Sequence, residues 1–127
     1  MTKENKELLL KYLGMALPYG VKVLDTAEDL NKICELDSIM TSRKHDKVFV
    51  GLTLPDDAIM TGIEMVKPYL RPMSSMTEEE RRERLKIDGM YNERIISDFD
   101  WLNEHHFDYR GLIEKGLAIE APEGMYN

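Results

Sequence analysis

The chain has 127 residues, 43% of them apolar and 32% charged, with a formal net charge of −7 and one cysteine. That balance suits a soluble domain with its own core; it excludes an intramolecular disulfide and a cysteine-built zinc site, and no run approaches the roughly 18–20 apolar residues of a membrane span. The acid excess lies mainly in residues 71–127 and repels phosphate backbones, so nucleic acid is not an expected partner.

The opening stretch, MTKENKELLLKYLG, lacks the positive-then-apolar profile and small-residue cleavage site of a secretory signal. With no membrane span, the expectation is a cytoplasmic protein that engages no membrane. Within 4–17, Leu9, Leu10, Leu13 and Leu17 recur at spacings of three and four, the pattern of an amphipathic helix. LPYG at 17–20 ends it, because the residue before a proline avoids helical backbone and a glycine follows two positions on.

The period then changes. Residues 19–25 (YGVKVLD), 32–40 (KICELDSIM) and 47–54 (KVFVGLTL) are rich in β-branched and apolar residues with partial alternation, and a fourth short strand is expected within 58–66. Alternation puts Val48, Val50, Leu52 and Leu54 on one face of their strand, and Cys34, Leu36 and Met40 on one face of theirs. TSRKHDK has the length of a hairpin connector, and LPDD at 54–57 is a second turn. Together they predict a small antiparallel β-sheet or SH3-like open barrel. In that setting Cys34 is a buried small hydrophobe rather than a nucleophile.

Residues 66–87, VKPYLRPMSSMTEEERRERLKI, mark a boundary: Pro68 and Pro72 stiffen an extended segment, and Ser74 and Ser75 loosen it. A helix follows with two overlapping capping boxes, Ser75 with Glu78 and Thr77 with Glu80. Acidic residues fill its first turn and Arg81, Arg82, Arg84 and Lys86 come later, with Glu78–Arg82 and Glu80–Arg84 spaced for ion pairs. Only Leu85 and Ile87 are apolar, so a solvated face is expected. The chain is accordingly divided into a helix-plus-sheet domain, 1–72, and a helical region, 73–127, packed on it or projecting from it.

DGMYN at 88–92 reads as a turn, and Ile95, Phe99, Leu102 and His106 mark one face of a further helix capped by Asn92 or Ser97. The densest chemistry follows in WLNEHHFDYRGLIEKG, 101–116, where His105, His106, Asp108 and Arg110 are the candidate catalytic residues. A histidine beside carboxylates could serve as a general base. No serine, threonine or cysteine nucleophile stands at a recognised spacing, however, and adjacent histidines point roughly 100° apart on a helix, too far to share one ion. No metal or other cofactor is expected. An architectural reading accounts for the same residues: His106 as a hydrogen-bonded core histidine, Asp108 as the cap of a following turn, Gly116 as the glycine that closes it. The silhouette of a helix–turn–helix offers only Arg110 and Lys115 to DNA among many acids. Gly51, Gly62 and Gly89 fit no phosphate-binding loop.

KPYLRPMSSMTEEE (67–80) and WLNEHHFDYRGLIEKGLAIEAPEGMY (101–126) resemble segments of uncharacterised small proteins of prophages and mobile elements in gut anaerobes, and LPYGVKV resembles the entry to their N-terminal part. The resemblance implies an accessory protein that works through contacts with other proteins; it brings no activity, cofactor or catalytic residue with it. The combined expectation is an α+β chain with an N-terminal helix, a small sheet or barrel and a helical C-terminal half. Its expected function is that of a non-enzymatic interaction protein with a protein partner or a second copy of itself. The alternative is a small enzyme or ligand-binding protein using His105, His106, Asp108 and Arg110.

Overall fold

A computed structural model describes residues 1–27, 32–42, 44–89 and 98–126. Helix α1 spans Lys3–Ala16 and starts where the Thr2 hydroxyl accepts a hydrogen bond from the Asn5 amide at 3.1 Å. Its buried face is Leu9, Tyr12, Leu13 and Ala16, spaced as a helix stripe requires, with Leu10 and Leu17 partly buried against the same core. A 3-10 turn over Leu17–Tyr19 and Gly20 at φ 70° then end the helix and send the chain into the sheet.

Six strands follow: β1 (Lys22–Asp25), β2 (Lys32–Ser42), β3 (Lys47–Leu54), β4 (Asp57–Gly62), β5 (Val66–Leu70) and, far along the chain, β6 (Ile119–Glu120). They lie in the order β4-β3-β2-β1-β5-β6, antiparallel throughout except for the parallel pair β5–β6. The sheet is open. β4 and β6 stand at opposite edges, so there is no closed barrel: β5 pairs with β1 at only three positions before its other edge turns to β6.

One face of this sheet carries the main core. Val23, Cys34, Leu36, Val50, Leu52, Val66 and Leu70 pack there with α1 and with Leu112, Leu117 and Ala118 from the C-terminal region. Val48 and Leu54 border the same core, as the alternation of 47–54 requires. Met40 departs from its expected place beside Cys34 and Leu36. The β2–β3 register runs Leu36↔Leu52 and then Ser38↔Gly51, so Asp37 is an extra residue, a bulge that reverses which side chains face inward. Ile39 therefore borders the core and Met40 is 53% exposed.

β5 occupies what the sequence presents as a stiff connector. Pro68 sits opposite Val23, and on its other side β6 begins only at Tyr69, so the missing N–H interrupts no ladder there. Beyond it, α2 (Glu78–Gly89) and α3 (Asp98–Glu104) accompany a second, smaller core of Met76, Trp101, Leu102 and Phe107. Phe99, expected on the buried face of α3, is 54% exposed; the helix buries Trp101, Leu102 and Asn103 instead. The expected contributors Asn92, Ile95 and Ser97 lie outside the described residues. The helical C-terminal half is thus a mixture of two helices, a long turned segment over 105–118 and one strand of the sheet. Among the described residues no helix is long and apolar enough to cross a membrane.

Candidate functional site

Helix α3 closes with a Schellman motif. The Phe107 amide bonds back to the Leu102 carbonyl at 3.0 Å, the His106 amide to that of Asn103 at 3.1 Å, and Leu102 and Phe107 meet in the second core. The residue that must turn left-handed in this motif is His106, at φ 61°, where glycine is usual. Its ring is buried and stacks on Tyr126 with centroids 3.7 Å apart. Its Nδ1 has no hydrogen-bond partner among the described residues. Burial first, then the positive charges of His105, Arg71 and Lys22, hold the imidazole's pKa down at about 4, so it is neutral near pH 7.

His105 faces elsewhere. Its ring stacks on Trp101 at 4.2 Å, and Nδ1 lies 2.9 Å from the Trp101 carbonyl oxygen. A carbonyl can only accept, so Nδ1 carries a proton. Asp108 is committed to the backbone: Oδ1 accepts from the Leu112 amide at 2.8 Å and Oδ2 from the Ile113 amide at 3.0 Å. The segment it caps is a broad turn, as the sequence suggests. That turn ends in a second Schellman motif, with Leu117 bonded to Leu112, Gly116 bonded to Ile113, and Gly116 at φ 75°. Arg110 reaches back to α1, where Nη2 meets the Met15 sulfur at 3.3 Å, and lies over the Tyr109 ring. The four candidate residues therefore form no common site: one closes α3, one stacks on Trp101, one caps a turn and one rests on α1.

A site of a different composition does exist. At the fork where β5 leaves β1, the hydroxyl of Tyr126 accepts from the Lys22 amide at 2.9 Å and donates to the Tyr69 carbonyl at 2.7 Å. The β1–β5 register, extended one step beyond Val23↔Pro68, would pair those same two groups. Tyr126 is a side-chain substitute for a missing ladder rung. It pins a C-terminal strap, 119–126, which is also held by β6 and by the Ala121 amide donating to the Leu70 carbonyl at 2.8 Å.

Between this strap and the segment 71–80 lies a cleft of about 590 Å³, a volume in the range of ligand sites. Arg71 and Glu80 form one wall, Glu120, Glu123 and Tyr126 line the strap side, and His105 also contributes. Arg71 and Glu80 are joined by two hydrogen bonds of 2.7 Å, and the guanidinium also rests on the Phe107 ring, 4.2 Å from its centroid. The Arg71 hydrogen bonds hold the Glu80 carboxyl down at about 2, with the Thr77 amide helping. That wall is internally neutral. The remaining carboxylates, Glu120 and Glu123, are exposed.

The capping box of Thr77 and Glu80 forms as its spacing demands, with reciprocal bonds of 3.0 and 3.1 Å; Ser75 instead donates to the Pro72 carbonyl. Helix α2 is exposed over most of 78–86, as expected, with Glu80 and Arg84 half-buried. Three of its charges are nevertheless engaged: Glu80 serves Arg71, Glu83 accepts from the Trp101 indole at 3.1 Å, and Arg84 makes a two-bond pair with Asp98. Cys34 is buried as expected, and burial raises its thiol pKa. Among the described residues no three of His, Cys, Asp and Glu lie close enough to hold a metal ion. No known protein family, curated protein or solved structure matches the chain significantly.

Proposed function

We propose that the chain is a non-enzymatic accessory protein of the phage or mobile-element type, cytoplasmic, that binds a basic segment of a partner protein in the cleft between its strap and residues 71–80. The observation that carries this is the cleft's charge: Arg71 is spent on Glu80, which leaves Glu120 and Glu123 on the opposite wall without an ion pair among the described residues. A cationic side chain entering there meets two carboxylates and no competing free cation from Arg71. The small-enzyme alternative rests on His105, since Asp108 and Arg110 are engaged elsewhere and His106 is buried. The resemblance of 67–80 and 101–126 to prophage proteins supports the accessory role.

The test is capture of partners from infected host cells by wild type and by a Glu120→Lys/Glu123→Lys double variant. A partner retained at low salt, weakened at 0.5 M salt and lost by the double variant supports the cleft. A partner held equally by both proteins places binding elsewhere. A second copy of the chain is the other partner that a surface feature favours: Met40 and Met60, 53% and 55% exposed, lie opposite Phe49 and Gly51 on the sheet face away from the core. Sedimentation with Met60→Lys, expected to give monomer, decides that point.

A further inference from the structure

We propose that the C-terminal strap, residues 119–126, is an acid-released latch on the cleft, opened when the buried imidazole of His106 takes a proton. This rests on reading the cleft as the binding site, of which the strap is one wall.

Three features meet at one place. The His106 ring is 7% exposed, its Nδ1 is without a partner, and the Tyr126 ring lies flat against it at 3.7 Å. A second proton would add an N–H and a positive charge where neither is hydrated. The charged groups facing the ring are Lys22 from β1, Arg71 from the end of β5 and His105 from the end of α3, all basic. Those facing Tyr126 are Glu35 of β2, Tyr69 of β5 and Tyr12 of α1. None of the groups that act on His106 is a carboxylate able to accept the new proton's bond. Stacking on Tyr126 favours a cation only weakly against the loss of hydration.

Water must therefore reach the ring, and the strap is the covering element with the fewest ties. It is held by two register pairs, the Ala121 amide and the bonds of Tyr126; the Lys22 ammonium adds a long contact of 3.5 Å to the Met125 carbonyl. The other side of His106 is the Schellman closure of α3, anchored in a core by Leu102 and Phe107. Lifting Tyr126 exposes the imidazole, frees the Lys22 amide and the Tyr69 carbonyl, and moves the wall that carries Glu120 and Glu123.

Backbone hydrogen exchange of the full chain, read by NMR at pH 7, 6 and 5 and divided by the unstructured-peptide rate at each pH, tests the latch without any partner. The Lys22 amide reports the latch, because it bonds to Tyr126; the Leu36 amide, bonded to the Val21 carbonyl at 3.0 Å, reports the sheet. With a closed-state pKa of about 4 and an ordinary value of 6.5, the opening constant at Lys22 rises about 20-fold from pH 7 to pH 5, and at each pH it exceeds that at Leu36, whose exchange needs the sheet to open. His106→Asn tolerates the left-handed backbone, does not titrate and flattens the Lys22 profile. If that variant fails to fold, the wild type still decides: the Tyr126 ring resonances must shift with the midpoint of His106 ring titration. A Lys22 profile independent of pH, a Lys22 opening constant no larger than that of Leu36, or Tyr126 resonances that ignore the His106 midpoint would overturn the latch. Loss of partner capture by the lysine variants with no change in exchange would separate the two proposals.

Discussion

Replacing Asp108 by alanine distinguishes an architectural aspartate from a catalytic one. In the folded chain its two oxygens accept from successive amides, Leu112 at 2.8 Å and Ile113 at 3.0 Å. Leu112 is fully buried, and its amide lies in a turn whose closing motif brings Leu117 back into the main core. A hydrogen bond to a charged group contributes about 1.5–3 kcal/mol, and a single ordinary cap about 0.5–2 kcal/mol. Two such bonds on one carboxylate, partly open to water that can replace it, give an expected loss of about 2–3 kcal/mol. Asparagine keeps one acceptor and turns an NH₂ toward the other amide, so Asp108→Asn should lose roughly half to all of that.

Urea unfolding followed by the fluorescence of Trp101, the one tryptophan, measures both variants. With a slope of about 1–3 kcal/mol/M for a small domain, the alanine midpoint falls by about 1–2 M. Partner capture below the transition should be unchanged, since Asp108 does not line the cleft. An alanine variant with the wild-type midpoint would refute the claim that the carboxylate locks this turn. Lost binding or activity with full stability would make Asp108 a functional residue after all.

Two glycine-to-alanine changes should have opposite signs. At Gly116, φ 75° with nothing within 4 Å of the position a methyl would take, the cost is backbone strain alone, about 1 kcal/mol; at exposed Gly14 within α1, where the space is equally open, alanine should stabilise by about 0.5–1 kcal/mol. Melting temperatures moving the same way in both would contradict the assigned backbone conformations. Glu80 controls acid stability: its carboxyl is held at about 2 against an ordinary 4.5, so the stability it confers is present above pH 4.5 and is lost as pH falls from there toward 2. The shift corresponds to on the order of 3 kcal/mol. Glu80→Gln keeps a capping-box side chain, so it should lose most of that at pH 7 and flatten the dependence of unfolding free energy on pH between 4.5 and 2; an unchanged slope would show that another group governs it.

What the sequence discloses is what short-range chemistry decides. The stripe of α1, the two hairpins of β2–β4 and the reciprocal box of Thr77 and Glu80 each depend on residues a few positions apart, and each forms. Two local signals mislead for identifiable reasons. Pro68 argues against a strand, yet it occupies a place where β6 has not begun and no partner needs its N–H. One inserted residue, Asp37, reverses the facing of β2 beyond it and moves Met40 from core to surface, which alternation cannot foresee. The cleft is illegible altogether, because its walls come from 71–80, 105 and 120–126, and Lys22 and Tyr126 meet across 104 positions of sequence.

The dense polar stretch at 101–116 looks like chemistry for a physical reason that also explains why it is not one site. Two left-handed closures stand ten residues apart, at His106 and Gly116, and each reverses the chain within a few residues. Reversals leave amides and carbonyls without helical partners, and those must be satisfied where Leu102, Phe107, Leu112 and Leu117 are being buried. Polar side chains collect there to do it: Asp108 takes two amides, Asn103 accepts from the Tyr109 hydroxyl at 2.9 Å, and His105 donates to the Trp101 carbonyl. Left over are the Nε of Arg110 and, at the first closure, the Nδ1 of His106. A glycine would have served the backbone at that position with less strain and without burying an unpaired nitrogen. The histidine adds a ring for Tyr126 to close upon, and through it a dependence of the strap on pH that glycine could not supply.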